Sequence, residues 1–216
     1  MSDKEAPIGE VLLKDVRLSF ADIYTKSKDR PDKENPGKVI PGQYKANGLI
    51  PKDESDKTAM RNMRLLKEAK ARVMEAKWGK NQPKLKPEKI CVRDGDLEDY
   101  DGYEGMWYIS ANEQEQPVLI TRHKDAKDEW IAAKPGEIYA GCYVNMIVVL
   151  WAQDNEHGKR INARLKAVQF NRKGDAFSGS GPINPNEKFA EIEEDEGEEM
   201  GSSRRTNDDD DDDSVI

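Results

Sequence analysis

The sequence predicts a mainly β fold: a small barrel of curved strands, one long inserted helix, and a disordered acidic segment after the domain. Three observations carry that reading. Apolar and polar residues alternate with period two along much of the first 172 residues, most clearly over Gly136–Ala152. A single helical stripe interrupts them, from a cap at Ser55 or Asp56 to about Trp78. From Glu187 to Ile216 there are 14 acids against 3 bases and almost no apolar residues, a composition that cannot bury enough surface to offset its ordering entropy.

The first strand is expected over Glu10–Phe20, with Val16, Leu18 and Phe20 on one face and Arg17 and Ser19 on the other. A polar loop with Pro31, Pro36 and Gly37 leads to a second strand over 38–50, with Ile40, Tyr44, Ala46 and Ile50 inward. Ser55 or Asp56 is suited to cap a helix that runs to about Trp78 and stops at Gly79. Its stripe reads Met60, Met63, Leu66, Val73 and Ala76, and its other faces are basic, as for a helix lying across a sheet or a barrel end. Strand patterns return at Ile90–Arg93, Gly105–Ala111 and Val118–Thr121. Gly136–Ala152 and Lys159–Arg172 form a hairpin across the turn Asn155–Gly158. In the last strand the apolar phase slips near Ala167, the signature of a β-bulge, and Gly141 offers the preceding strand a bend. Curved strands with one inserted helix fit an OB-fold. The domain is expected over 1–175, with a disordered linker and acidic tail over 176–216.

Composition excludes several classes of function. No apolar run approaches 18 residues, so a membrane helix is not expected, and the first residues lack a secretory pattern. Two cysteines outside any CxxC pair fit a reducing compartment. No phosphate-binding glycine loop, GxSxG or HExxH occurs, and His123, His157, Cys91 and Cys142 have no local ligand spacing, so neither enzyme chemistry nor a metal or other cofactor is expected. The net charge of −8 divides unevenly: residues 1–186 carry 32 bases and 29 acids. The domain is mildly basic and the tail strongly acidic.

A basic domain with exposed aromatics can hold single-stranded nucleic acid, phosphates on cations and bases on rings. The candidate cations are Lys45, Lys77, Lys80, Lys84, Arg122, Lys124, Arg160, Arg164, Lys166 and Arg172. Arg160, Arg164 and Lys166 alternate with apolar residues and so share one outward strand face. The candidate rings are Tyr108, Tyr139, Tyr143 and Trp151; Trp107 falls in the core phase, Tyr108 in the outward one. The long helix is a possible cover for Tyr139, Tyr143 and Trp151.

In the tail, Asp208, Asp209, Asp210, Asp211, Asp212 and Asp213 form an unbroken run ahead of Ser214, Val215 and Ile216. At about 3.4 Å per extended residue, its charge density imitates a single-stranded backbone. A flexible linker of about 35 residues spans roughly 30–35 Å, against a domain radius of about 16 Å, so the tail reaches any face. It can compete for a basic groove or enter a partner's basic pocket.

The stretch IYAGCYVNMIVVLWAQDNEHGKRINARLKAVQFNRKGDAF (138–177) resembles a family of bacteriophage single-stranded DNA-binding proteins with an OB-fold, as does the opening GEVLLKDVRLSFADIY. The markers are Gly141, Tyr143 and Val144, then Gly158, Leu165, Val168 and Gln169. The resemblance implies protection of exposed strands in phage replication, recombination and repair, in the cytoplasm of an infected host. It also implies a tail that modulates binding and recruits replication proteins such as a polymerase or helicase. Similar proteins often close the tail with an aromatic residue, where this sequence has Ile216. Duplex DNA remains open as a second ligand, and so does the choice between monomer and homodimer. The rival reading is an acidic interaction protein, a DNA mimic or chaperone of basic proteins, in which the tail is the active element.

Overall fold

A computed structural model describes residues 7–32 and 36–177. The first strand, β1 (Glu10–Asp22), buries Val11 and Leu13, then Val16 and Leu18. The change of phase is a bulge: the register against its neighbour shifts between Leu13 and Val16, with Asp15 left-handed at φ 51°, a conformation Asp tolerates better than most residues. Phe20 departs from the expected inward phase and is 44% exposed. The chain turns left-handed at Phe20 itself (φ 47°), just where the register on the other side of β1 shifts.

The stretch 38–50 is two strands rather than one. β2 (Arg30–Pro31) pairs with β3 (Val39–Ile40), and β4 (Tyr44–Pro51) begins afresh after Pro41, which has no N–H to continue a ladder. Ala46 and Ile50 enter the core, while Leu49 faces the opposite way and meets Tyr103 and Tyr108.

The helix α1 (Lys57–Trp78) has the expected ends. The Asp56 carboxylate accepts from the Thr58 and Ala59 amides at 2.8 and 2.9 Å, and Gly79 closes the last turn at φ 55°. Its buried stripe is Ala59, Asn62, Leu66, Ala69 and Val73; Met60 and Ala76, expected within it, are exposed. Small residues bring the helix close to β1, which lets Asn62 bond the strand directly. Its amide donates to the Lys14 carbonyl at 2.7 Å and its oxygen accepts the Lys14 N–H at 3.1 Å. Lys14 sits in the bulge, so the helix satisfies backbone groups that the ladder leaves out.

The remaining strands are β5 (Val92–Asp94), β6 (Met106–Glu113), β7 (Val118–Lys124), β8 (Trp130–Ala132), β9 (Tyr143–Asn155) and β10 (Gly158–Arg172). β8 has no counterpart in the sequence reading, because three residues all exposed give no alternation. β9 starts later than expected. Ile138, Ala140 and Cys142 keep the buried phase, but residues 136–142 form turns. There Gly141, at φ 109°, lies so close to the returning chain that a Cβ would stand 2.1 Å from the Asp175 carbonyl oxygen.

The sheet runs β5-β6-β4-β1-β9-β10-β7-β8, and a further β6–β10 pairing closes β1, β4, β6, β10 and β9 into a five-stranded barrel. Its interior is filled by Leu13, Leu18, Ile109, Met146, Leu165 and their neighbours, with α1 packed on the same core. β9 and β10 form the expected hairpin, and the bulge falls between Leu165 and Ala167 as the phase slip predicts. The described chain packs as far as Phe177, whose ring lies 4.2 Å from the Arg17 guanidinium. The expected disordered tail lies outside the described residues.

Candidate nucleic-acid interface

On the outer wall, β4, β6 and β10 run side by side. Register places Lys45 opposite Asn112, and Asn112 opposite Arg164, so these three side chains form a row across the strands. Next to this row a polar cavity of about 380 Å³ opens between β6, β10 and the segment leading into β5. Arg30, Lys89, Arg93 and Arg160 line it, with Glu88 the one acid; Ser110, Asn112 and Asn162 supply neutral donors and acceptors. The Nε of Arg160 is buried and has no acceptor among the described residues. That is a costly state for a charged donor unless something binds there. Arg93 is steadier, its Nε donating to the Ile90 carbonyl at 3.2 Å.

Two expected cations beside the cavity are already paired. Lys45 lies 3.2 Å from Asp22, and Lys166 lies 2.8 Å from Glu113. Burial pushes the Glu113 carboxyl up, but the Lys166 ammonium and the Gln114 amide outweigh it and hold the group below its ordinary range. Trp151 is 36% exposed on β9, opposite Asn162, with the Arg164 guanidinium 5.7 Å from its ring. The helix leaves it uncovered, so Trp151 is a usable aromatic surface close to the cationic row.

The other candidates lie elsewhere. Tyr108 was expected to face outward and does not: it is 4% exposed, stacked edge-on against Tyr103, with its hydroxyl donating to Glu98. Desolvation, then that carboxylate, pushes its pKa up to about 12. The outer surface of β4 and β6 is itself covered there by the Tyr103 segment, which alternation within one strand cannot reveal. Tyr139 is half-buried and donates to the Gly174 carbonyl at 2.9 Å. Tyr143 lies under Arg172, whose guanidinium is 3.3 Å from the ring. Arg172 also holds Asp15 through two bonds of 3.0 Å. Arg122 and Lys124 stand on β7, where Lys124 pairs with Asp128 at 2.9 Å. Lys77, Lys80 and Lys84 are exposed around the helix C-terminus, beside the hairpin turn that Trp78 joins by donating to Asp154 at 2.7 Å.

The structure therefore gathers Lys45, Arg160, Arg164, Lys166 and Trp151 and adds Arg30, Lys89, Arg93, Ser110 and Asn112, which the sequence did not single out. Lys89 and Arg93 carried a weak signal, a basic segment running into a short strand. Arg30, one base in a polar loop, carried none. Among the described residues no three His, Cys, Asp or Glu side chains gather as a metal site, and both cysteines are buried and free. Burial pushes the Cys91 thiol up to about 12.

The barrel order, with a polar, cationic cavity at the junction of its third and fifth strands, defines an OB-type barrel, a class whose strand 2–3 face and adjoining loops hold oligomers. The sequence model of the family described as Enterobacter phage Enc34, ssDNA-binding protein, matches residues 9–200, and the chain belongs to that family. It is 35% identical over 208 residues to putative protein p50 of Acyrthosiphon pisum secondary endosymbiont phage 1, covering 90% of this chain and all of that one. Among solved structures it resembles the single-stranded DNA-binding protein from bacteriophage Enc34 in complex with ssDNA, with TM-score 0.61 and 27% identity over 79% of this chain and 90% of that one. The same phage protein without DNA gives TM-score 0.61 at 25% identity, over 83% and 89% of the two chains. No helix among the described residues is long and apolar enough to cross a membrane.

Proposed function

We propose that this protein binds single-stranded DNA without sequence preference and protects exposed strands during phage replication, recombination and repair in the host cytoplasm. The observation that carries the reading is the cavity at the β6–β10 junction, with four cations, one acid and a desolvated Arg160 Nε left without an acceptor. It lies at the junction of the barrel's third and fifth strands, bordering the strand 2–3 face that barrels of this class use for oligomers, and a solved relative in the same family is in complex with ssDNA. Phosphates occupy Arg30, Lys89, Arg93, Arg160 and Arg164, and a base stacks on Trp151, a contact worth about 1–3 kcal/mol. The binding role is non-catalytic.

The acidic run Asp208–Asp213 competes with DNA for cations and recruits replication proteins. The test is fluorescence titration of the intact chain and a 1–206 truncation with labelled oligo-dT at two salt concentrations. The expected result is salt-sensitive binding, with a logarithmic slope of about −0.7 per phosphate neutralised, that tightens on truncation. Absence of binding by either form would reject the DNA reading. Equal affinities would reject only the competing tail.

A further inference from the structure

A second cavity, of about 600 Å³, opens on the other face of β5 from the cationic one: Val92 lines it, whereas Cys91 and Arg93 line the first. Helix α1 forms one wall of this slot with Met60, Met63 and Leu66; Ile90, Val92 and Trp107 form the other. The charged residues of its lining are all cationic: Arg64, Lys67 and Lys70. Arg64 is engaged by Glu68 at 2.9 Å, but Lys67 and Lys70 form no ion pair among the described residues.

A shape of opposite character stands at the end of the same strand. β5 runs into the tight turn Gly95–Leu97, which lifts Leu97 clear of the domain. At 81% exposed, Leu97 is the barest large apolar side chain among the described residues. Acids flank it: Asp96, Glu98 and Asp99 in sequence, and Glu104 where the loop returns. The loop is held in place. Lys52 bridges Asp94 and Asp96, the Asp96 carboxylate also accepts the Gly105 amide at 2.6 Å, and Glu98 accepts the Tyr108 hydroxyl. Asp99 and Glu104 are exposed and form no ion pair among the described residues. A preorganised apolar plug ringed by acids therefore stands beside an apolar slot rimmed by cations.

We infer that the slot between α1 and β5 receives a second copy of this chain, whose Leu97 enters against Met60, Met63 and Trp107 while its Asp99 and Glu104 face Lys67 and Lys70. Leu97 does not fill the slot of its own chain, being exposed and absent from that lining. Plug and slot are nevertheless neighbours: the Lys52 ammonium that holds Asp96 at 2.6 Å lies 4.7 Å from the Trp107 ring. One face carrying both is self-complementary, so a two-fold axis between them closes both contacts at once and leaves a dimer rather than an open filament. Opposite charges around the plug and slot fix the register. Ile90 lines both cavities, so the pairing brings the two cationic grooves to the border of one interface.

The test is sedimentation equilibrium of the full chain without DNA, so its outcome does not depend on whether the barrel binds a strand. Wild type should be a reversible dimer. Leu97→Ser, which leaves the slot untouched, should raise the dimer dissociation constant at least about tenfold. Asp99→Lys with Glu104→Lys should do the same, and so should Lys67→Glu with Lys70→Glu. An equimolar mixture of these two charge-reversed chains should regain the dimer, because both contacts again join opposite charges, and that recovery requires both variants to be folded. Leu97→p-benzoylphenylalanine, irradiated in a mixture of heavy-nitrogen-labelled and unlabelled chains, should give heavy–light products at Met60, Met63 or the peptide bearing Trp107. A monomeric wild type, a dimer indifferent to Leu97→Ser, species larger than the dimer, or cross-links confined to one chain would overturn the assignment. So would a mixture that stays monomeric although both chains keep the wild-type circular dichroism spectrum.

Discussion

Before its bulge, β10 points Arg160, Asn162, Arg164 and Lys166 outward; after it, the strand carries Gln169, Asn171 and Arg172. In sequence both stretches are polar, the first with three bases and the second with one. In the fold the second is consumed. Asn171 donates to Asp15 at 2.8 Å, Arg172 grips the same carboxylate twice, and Asn145 donates to Gln169 at 2.9 Å while accepting the Asp15 amide at 3.1 Å. These groups hold the β1 bulge, with Asn62 completing it from the helix. In the first stretch Arg160 has an unanswered Nε, Arg164 stands 5.7 Å from the Trp151 ring and forms no ion pair among the described residues, and only Lys166, at the bulge itself, is paired, with Glu113. A strand face thus divides into charge spent on the barrel and charge left for a ligand, and the bulge marks the border.

The comparison breaks first if the open half is dispensable. Arg160→Glu with Arg164→Glu should weaken oligo-dT binding roughly 100-fold and flatten the salt slope by about 1.4, with the melting temperature unchanged. A loss of folding without a specific loss of binding would place these arginines with the closed half. Asn62→Ala tests the opposite claim. It leaves the Lys14 N–H and carbonyl unpaired beneath the helix and should cost about 2 kcal/mol in denaturant unfolding. Arg172→Ala should cost about 1 kcal/mol, since its partner pair is partly solvent-exposed and screened, and should alter DNA affinity less than about twofold. A large affinity loss would move Arg172 into the groove.

The smallest effect concerns the border pair. Glu113 titrates below its ordinary value of 4.5 in the fold. The native state therefore gains stability from its ionised form above that ordinary value and loses it as pH falls through the lower folded one. Wild type should exceed Glu113→Gln in stability near about pH 6, and the difference should vanish by about pH 3. Paired melts across that range would show it; a difference growing on acidification would contradict the assigned sign.

The legible parts of the fold were those set by local repetition. Asp56 and Gly79 bracket α1 because capping is chemistry within one turn, and the Ala167 slip is visible because both phases lie within one strand. The candidate site was most legible where one strand declares it, in Arg160, Arg164 and Lys166; Lys45 and Trp151, also named from the sequence, stand near them only through the fold. Arg30, Lys89 and Arg93 join them from segments more than 60 residues away in sequence, and no periodicity carries that information. Tyr108 erred for the same reason: its phase is outward, but the chain around Tyr103 lies over that face.

By itself, then, the sequence determined the element types, the hairpin, the helix ends and the opposition between a basic domain and an acidic run. Those follow from side-chain periodicity, backbone capping and net charge, which are local or additive quantities. Only tertiary structure decided which cations are neutralised, which aromatics stay dry, and where two cavities meet across β5. Pairing and burial depend on neighbours brought together by barrel closure, and the β6–β10 contact that closes the barrel also assembles the cationic groove.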